Sequence, residues 1–334
     1  MRSTRHIAHA LYDRLALKAN HGPIGIGLIG IGGWGMSNAT NIMRSRRFNI
    51  VGVHDIQQAA AQKFSERFRT AFYKDIGTLL CASSLDAVCI TVPNPYHPEL
   101  VMAAADSGKH IFIEKPLASL PEDCLILGQH CHEKGLVLQV GHQMRREPVF
   151  RTIASILDRG DLGSPLFAQG VYALNRRGRS DWRSDPELCP GGSMEQLGVH
   201  FIDILCYPFG PPRNVSGWAE NTPARSDAPD WASVSLAFDS GLRSIISTSF
   251  SAPSHQRLEV FFDGGYLSTD GVSLSIRSSG SSLATRKPKG KPGGVMQFLE
   301  FADCIERRLK PETGAVTAAT VMRIVNAIHG KEEK

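Results

Sequence analysis

The sequence has no long apolar run. Nothing in it approaches the roughly 18 residues that span a bilayer, so no membrane partner is expected. It also lacks any pattern among its cysteines. The seven (Cys81, Cys89, Cys124, Cys131, Cys189, Cys206 and Cys304) are odd in number and scattered, with no Cys-x-x-Cys pair. That argues against a disulfide framework or a structural zinc, and for a reducing, cytoplasmic setting. The triplet His130-Cys131-His132 is no metal site either, because neighbours on a helix point about 100° apart; no metal is expected. The net charge of +5 is modest, and much of it sits in two runs: Arg2, Arg5, Arg14 and Lys18, and Arg286, Lys287, Lys289 and Lys291 among prolines and glycines. Such runs are solvated tails or loops, so no nucleic-acid partner is expected. The stretch His6–Tyr12 is broken by Asp13 and Arg14, which makes a poor signal-peptide core. It fits a transit peptide or an added arm equally, and residues 1–22 are read as an N-terminal extension. No internal repeat is present.

The 334 residues suffice for two domains, each with a proper core. Glycine punctuates the first. An apolar run from Pro23 leads into Gly30-Ile31-Gly32-Gly33-Trp34-Gly35, the spacing Gly-x-Gly-x-x-Gly. There the first glycine permits a tight strand-to-helix turn, the second lets the backbone approach a pyrophosphate, and the third lets helix and strand pack closely. The following helix turns free N–H groups toward the phosphates. Phe48–Val53 reads as a second strand and ends at Asp55, placed to accept hydrogen bonds from an adenosine ribose. Ile56, Ala60, Phe64 and Phe68 then recur at helical spacing. Further strands are expected at Asp86–Thr91, Lys109–Ile113 and Leu136–Val140, with a helix between the last two that carries capping-box spacing at Ser119 and Glu122. This alternation predicts a doubly wound parallel sheet over residues 23–143, with His97, Lys115 and His142 at the carboxyl edge where ligands bind.

After about residue 144 the period changes to two. Ala232, Val234, Leu236 and Phe238, then Ile246, Thr248 and Phe250, then Leu258, Val260 and Phe262 alternate between short turns. That predicts a C-terminal α+β domain over residues 144–334 with an open, mainly antiparallel sheet. Met194, Leu197, Phe201 and Ile204 would cover the sheet from a helix, leaving Gln196, His200 and Asp203 on another face. Two more helices are expected near 295–308 and 314–329.

Four segments occur in order: Gly30-x-Gly32-x-x-Gly35, Thr91-Val-Pro93-Asn94-x-x-His97, Glu114-Lys115-Pro116, and Gly191-Gly192 followed by Gly198-Val199-His200-x-x-Asp203. Together they resemble the Gfo/Idh/MocA family of nicotinamide-dependent oxidoreductases, over nearly the whole chain from Ile24. The resemblance implies hydride transfer at a carbinol carbon of a sugar, cyclitol or related polyol. It also implies a substrate domain whose open sheet joins subunits, hence a homodimer or homotetramer. It assigns cofactor contacts to Gly30, Gly32, Gly33, Trp34, Gly35, Asp55, Thr91, Pro93, Asn94, His97, Glu114 and Lys115. His200 matches the family's proton acceptor, and Lys115 the lysine on the reacting oxygen. Both chemistries suit the residue types, since an imidazole accepts a proton near neutral pH and a buried ammonium stabilises a developing alkoxide.

The chain departs from the family where an Asp commonly lies four residues before the histidine; here that residue is Gln196, which completes the catalytic set with Lys115 and His200. Glu195, five residues back, would lie about 140° round an α-helix, which leaves Asp203 as the carboxylate on the histidine's side. Asp55 points to NAD rather than NADP, because a carboxylate repels a 2′-phosphate. His142, Arg145, Arg183 and Asp203 are candidates for the substrate, and the arginines admit an anionic sugar such as a uronate or a nucleotide-linked sugar. Two other functions share this pattern: a redox-neutral lyase or glycosidase that retains NAD, and a non-catalytic NAD-sensing regulator.

Overall fold

The computed structural model describes residues 22–176, 181–222 and 227–329. The N-terminal extension to residue 21 lies outside the described residues.

Strand β1 (Ile24–Ile29) is buried along its whole length and stands at the centre of a six-stranded sheet. With β2 (Phe48–His54), β3 (Ala71–Phe72), β4 (Ala87–Ile90), β5 (His110–Glu114) and β6 (Leu138–Gly141), the order is β3-β2-β1-β4-β5-β6, and every pairing is parallel. The order reverses between β1 and β4, so the crevice outside their carboxyl ends is the ligand-binding edge. Helix α1 (Gly33–Ser45) follows β1, and α2 (Gln58–Phe68) follows β2.

Two local expectations are corrected. Ile56 precedes α2 and is 91% exposed, and Ala60 is exposed too; Ala61 and Phe64 form the buried stripe. Ser119 caps nothing: the helix Pro121–Glu133 starts with a proline after Leu120 and has no side-chain cap. Proline is at home at that first position, where its missing N–H would have no partner anyway.

The second sheet has eight strands. They are β7 (Pro165–Ala173), β8 (Asn214–Glu220), β9 (Trp231–Ala237), β10 (Arg243–Ser249), β11 (His255–Phe262), β12 (Gly265–Thr269), β13 (Leu274–Ser278) and β14 (Ala284–Arg286), in the order β14-β13-β12-β11-β7-β10-β9-β8. Only the β7–β10 pairing is parallel. A helix over Val199–Phe209, preceded by a π turn at Met194–Gly198, lies on one face. Met194, Leu197, Phe201 and Ile204 are buried there, and Phe201 packs so closely on Gly170 of β7 that any side chain at 170 would collide with its ring.

The last two helices return to the first domain. Phe298 and Phe301 of the helix Gly293–Arg307 join Phe48 and Phe112 in the core beneath the parallel sheet, with Phe112 and Phe298 rings 4.5 Å apart. The final helix, Ala315–Ala327, lies against the helix Pro121–Glu133, where a Cβ at Gly128 would overlap Ala315. The core beneath the parallel sheet therefore draws on residues from both ends of the sequence. Among the described residues no helix is long and apolar enough to cross a membrane.

Candidate active site

The turn between β1 and α1 shows what each glycine does. Gly30 has φ +86°, a conformation that favours glycine, and a Cβ there would overlap the Thr91 carbonyl. Gly35 packs directly on the Gly30 carbonyl. At Gly32 and Gly33, by contrast, an added Cβ would meet no protein atom within 4 Å. Small residues are needed there only if something else comes close, and α1 begins at that point with no side-chain cap and no acidic residue in its first turn. Uncapped N–H groups beside an open glycine cradle fit a dinucleotide pyrophosphate. Trp34 stands half exposed next to the cradle. Asp55 closes the arrangement: its Oδ2 accepts the Ile31 N–H and its Oδ1 the Gln57 N–H, each at 2.8 Å, which pins the glycine turn to the end of β2.

The loop after β4 carries Thr91, Pro93 and Asn94. Asn94 is buried, and its amide donates across the crevice to the Glu195 carboxylate. His97 braces this part of the crevice. Its ring is buried between two crevice loops, with Nδ1 2.6 Å from the Pro116 carbonyl and Nε2 2.9 Å from that of Val92.

Strand β5 delivers Glu114 and Lys115, and the Lys115–Pro116 peptide is cis. The Glu114 Oε1 accepts from Asn38 Nδ2 at 2.9 Å, and its Oε2 is sealed without a protein partner; burial pushes this carboxyl up despite the Asn38 bond. Lys115 is also buried. Its Nζ donates to the Gln196 carbonyl at 2.9 Å. Burial lowers it from its usual 10.5 to about 8, against the pull of the neighbouring Glu114 carboxylate.

Gln196 lies inside the π turn, where the i→i−4 ladder gives way to i→i−5. Its side-chain Nε2 is buried without a partner, as is Nδ1 of His200. Burial first, and then the charge of Lys115, hold the His200 imidazole well below its ordinary value, so it is neutral at pH 7. The His200 ring centroid is 6.2 Å from that of Tyr172 on β7. His142, at the end of β6, is neutral as well. Burial drives it to about 4 although the Asp203 carboxylate, 3.7 Å from its Nδ1, pulls the other way.

Arg145 and Asp203 pair with each other. Arg145 Nε donates to Asp203 Oδ2 at 3.0 Å, its Nη2 pairs with Oδ1, and the guanidinium lies 4.4 Å over the Tyr207 ring. This buried pair backs His142. Arg183 is placed differently. The Asp181 carboxylate accepts the Arg183 N–H and pairs with the Arg176 guanidinium, while Arg183 lies 4.2 Å over the Trp182 ring with its side chain 27% exposed. Burial, then the charge of Arg176, push Arg183 down, and its own charge is felt by both Glu114 and Lys115.

Sequence reasoning missed Glu195 and the π turn that carries it. The i, i+4 rule presumes a constant pitch, and no residue in Gly191–His200 announces the change. Among the described residues no three His, Cys, Asp or Glu side chains converge as a metal site.

Comparison with known proteins agrees with this architecture. D-xylose 1-dehydrogenase (NADP(+)) 2 of Haloferax volcanii is 25% identical over 319 residues, which cover 92% of this chain and 97% of the relative. Myo-inositol 2-dehydrogenase of Thermotoga maritima is 26% identical over 255 residues, 74% of this chain and 75% of the relative. A levoglucosan dehydrogenase solved with NADH and levoglucosan shares the fold, with a TM-score of 0.86 at 18% identity over 92% of this chain and 97% of that one. Residues 24–142 match the model of the oxidoreductase family with an NAD-binding Rossmann fold, and residues 150–268 match the GFO/IDH/MocA C-terminal domain. With both halves matched in order, and the glycine cradle, Lys115 and His200 set along one crevice, the chain belongs to the Gfo/Idh/MocA family of oxidoreductases.

Proposed function

We propose that the protein is an NAD-dependent dehydrogenase that oxidises a secondary hydroxyl of a sugar or cyclitol. The observation that carries this reading is the pairing, in one crevice, of a neutral buried imidazole with a buried ammonium. Bound over Gly32 and Gly33, the nicotinamide dinucleotide would supply the hydride acceptor. On this reading the His200 imidazole, whose Nδ1 is buried without a partner, takes the hydroxyl proton on Nε2. Lys115, mostly protonated at pH 7, donates to the same oxygen as it becomes an alkoxide. Gln196 Nε2, unpartnered and buried, has a donor to offer a neighbouring hydroxyl.

Relatives named for xylose, inositol and levoglucosan support the substrate class. The name of the xylose relative specifies NADP, whereas the levoglucosan structure holds NADH. Asp55, held at the glycine turn, favours NAD here, because a carboxylate after the second strand repels a 2′-phosphate. Arg183, half-buried and felt by Lys115, favours a substrate with a carboxylate or phosphate. Exposed Leu166, Val171, Ile245, Trp218 and Trp231 on the eight-stranded sheet favour a homodimer or homotetramer through that face. Seven cysteines without a disulfide suit a reducing cytoplasm.

The test is NADH absorbance with NAD and a panel of neutral sugars, uronates and cyclitols, beside the nucleotide content of the purified protein. Turnover with one class, lost in His200→Ala, is the expected result. Stoichiometric bound nucleotide with altered sugar products but no NADH would overturn it in favour of a redox-neutral enzyme. For substrate charge, Arg183→Ala should lose activity on anionic sugars selectively; equal losses on both kinds would remove the anionic assignment.

A further inference from the structure

Glu195 is a buried carboxylate to which the hydride-transfer chemistry above gives no task. On an α-helix it would point about 140° away from His200. The π turn takes about one residue more per turn, and so Glu195 swings to the crevice side instead. Both of its oxygens are held there. Oε1 receives Asn94 Nδ2 from the nucleotide domain, and Oε2 accepts the Gly191 N–H at 2.9 Å. The next residue in the chain presents its carbonyl to Lys115 Nζ. One wide turn therefore carries a carboxylate bolted to the cofactor loop and the carbonyl that seats the lysine.

On the dehydrogenase reading, we propose that Glu195 is a positioning residue for the reaction: bonded to Asn94 and Gly191, it fixes the turn whose Gln196 carbonyl seats Lys115, and supplies the negative charge that Gln196 cannot. The carboxylate missing four residues before His200 is thus replaced by one five residues before it, brought round by the change of pitch. Its charge raises the proton affinity of Lys115, in the same sense as Glu114 and against the larger effect of burial.

The test compares Glu195→Gln, Glu195→Asp and Asn94→Ala with the wild type at saturating NAD. Lys115 also faces Glu114, Arg183, Cys189, His97, His142 and His200, all retained in these variants, so a difference belongs to Glu195. Glu195→Gln should lower kcat about tenfold to a hundredfold, as loss of positioning does, with the sugar KM changed far less. Its alkaline limb should move down by about half a pH unit or more, because an opposite charge is lost. Glu195→Asp should restore the limb but not full kcat, since one methylene fewer cannot span both partners. Asn94→Ala should lower kcat and leave the limb in place. Titration of Lys115 by 13Cε-lysine NMR gives the same comparison without turnover. A Glu195→Gln protein with wild-type kcat and Lys115 titration would overturn the proposal, as would a loss of kcat that tracks loss of melting temperature with an unmoved Lys115. A wild type that makes no NADH would sink the dehydrogenase reading, and the NMR comparison would still decide the role of Glu195.

Discussion

Lys115→Met should abolish turnover and make the protein more stable at neutral pH. The ammonium is buried, and its value falls from 10.5 to about 8. At about 1.36 kcal/mol per pKa unit, keeping it charged at pH 7 costs the fold about 3 kcal/mol. A methionine fills similar space without that charge. It also deserts the Gln196 carbonyl, and a buried acceptor left unpaired costs about 1 kcal/mol. The net gain is therefore about 2 kcal/mol, a rise in melting temperature on the order of 4 °C.

The sign with pH separates this cause from better packing. Between pH 8 and 10.5 the unfolded lysine holds more proton than the folded one, so the wild type gains stability as pH rises through that window and loses it as pH falls through 8. The variant has no such group. Its advantage should be full at pH 7, shrink from pH 8 upward, and vanish or reverse near pH 10.5. Paired thermal and urea melts at pH 7 and pH 10 measure it, and titrating groups that do not feel the Lys115 charge cancel in the difference. A variant less stable than the wild type at pH 7, or an advantage indifferent to pH, would refute the picture of a desolvated ammonium held for function.

Two further substitutions probe the cradle and its support. Gly32→Ala should leave the melting temperature nearly unchanged, since its Cβ meets no protein atom, yet weaken NAD binding at least about tenfold by calorimetry; unchanged affinity would mean that no dinucleotide lies across Gly32. Gly30→Ala should instead cost about 1–3 kcal/mol of stability, because φ +86° and the Thr91 carbonyl both oppose a side chain. Asp203→Asn leaves the buried Arg145 guanidinium uncompensated and should cost about 3–5 kcal/mol. Burial pushes the Asp203 carboxyl up, but the Arg145 charge holds it below the ordinary carboxylate range, so its contribution is present at neutral pH and lost on acidification; a difference from wild type that does not narrow at acid pH would count against it.

What could be read from the residues was whatever depends on local backbone rules. The glycine turn, the alternation of strands with helices and the period-two runs at Ala232–Phe238 follow from such rules, and the structure realises them. Strand β7 escaped notice although it is central, because Leu166 and Val171 on its outward side are apolar too and blur the period. Ile56 misled for the opposite reason, an apolar residue in helical spacing that lies before the helix starts. The pairing of Arg145 with Asp203 joins residues 58 apart, and that of Arg146 with Glu300 joins residues 154 apart; no local rule names such partners.

The helix that carries His200 is the most instructive miss. From the sequence, residue 196 looks like the loss of a carboxylate, and residue 195 looks unable to replace it. Both judgements assume an unbroken α-helix. A single wide turn reverses the second: it turns Glu195 to the crevice and gives Lys115 a carbonyl to rest on. Counting residues back from a histidine is therefore reliable only where the helical ladder is regular, and an active site is where a fold has most reason to break it. A carboxylate that seems absent from one position of such a helix should be sought at the next before the chemistry is judged incomplete.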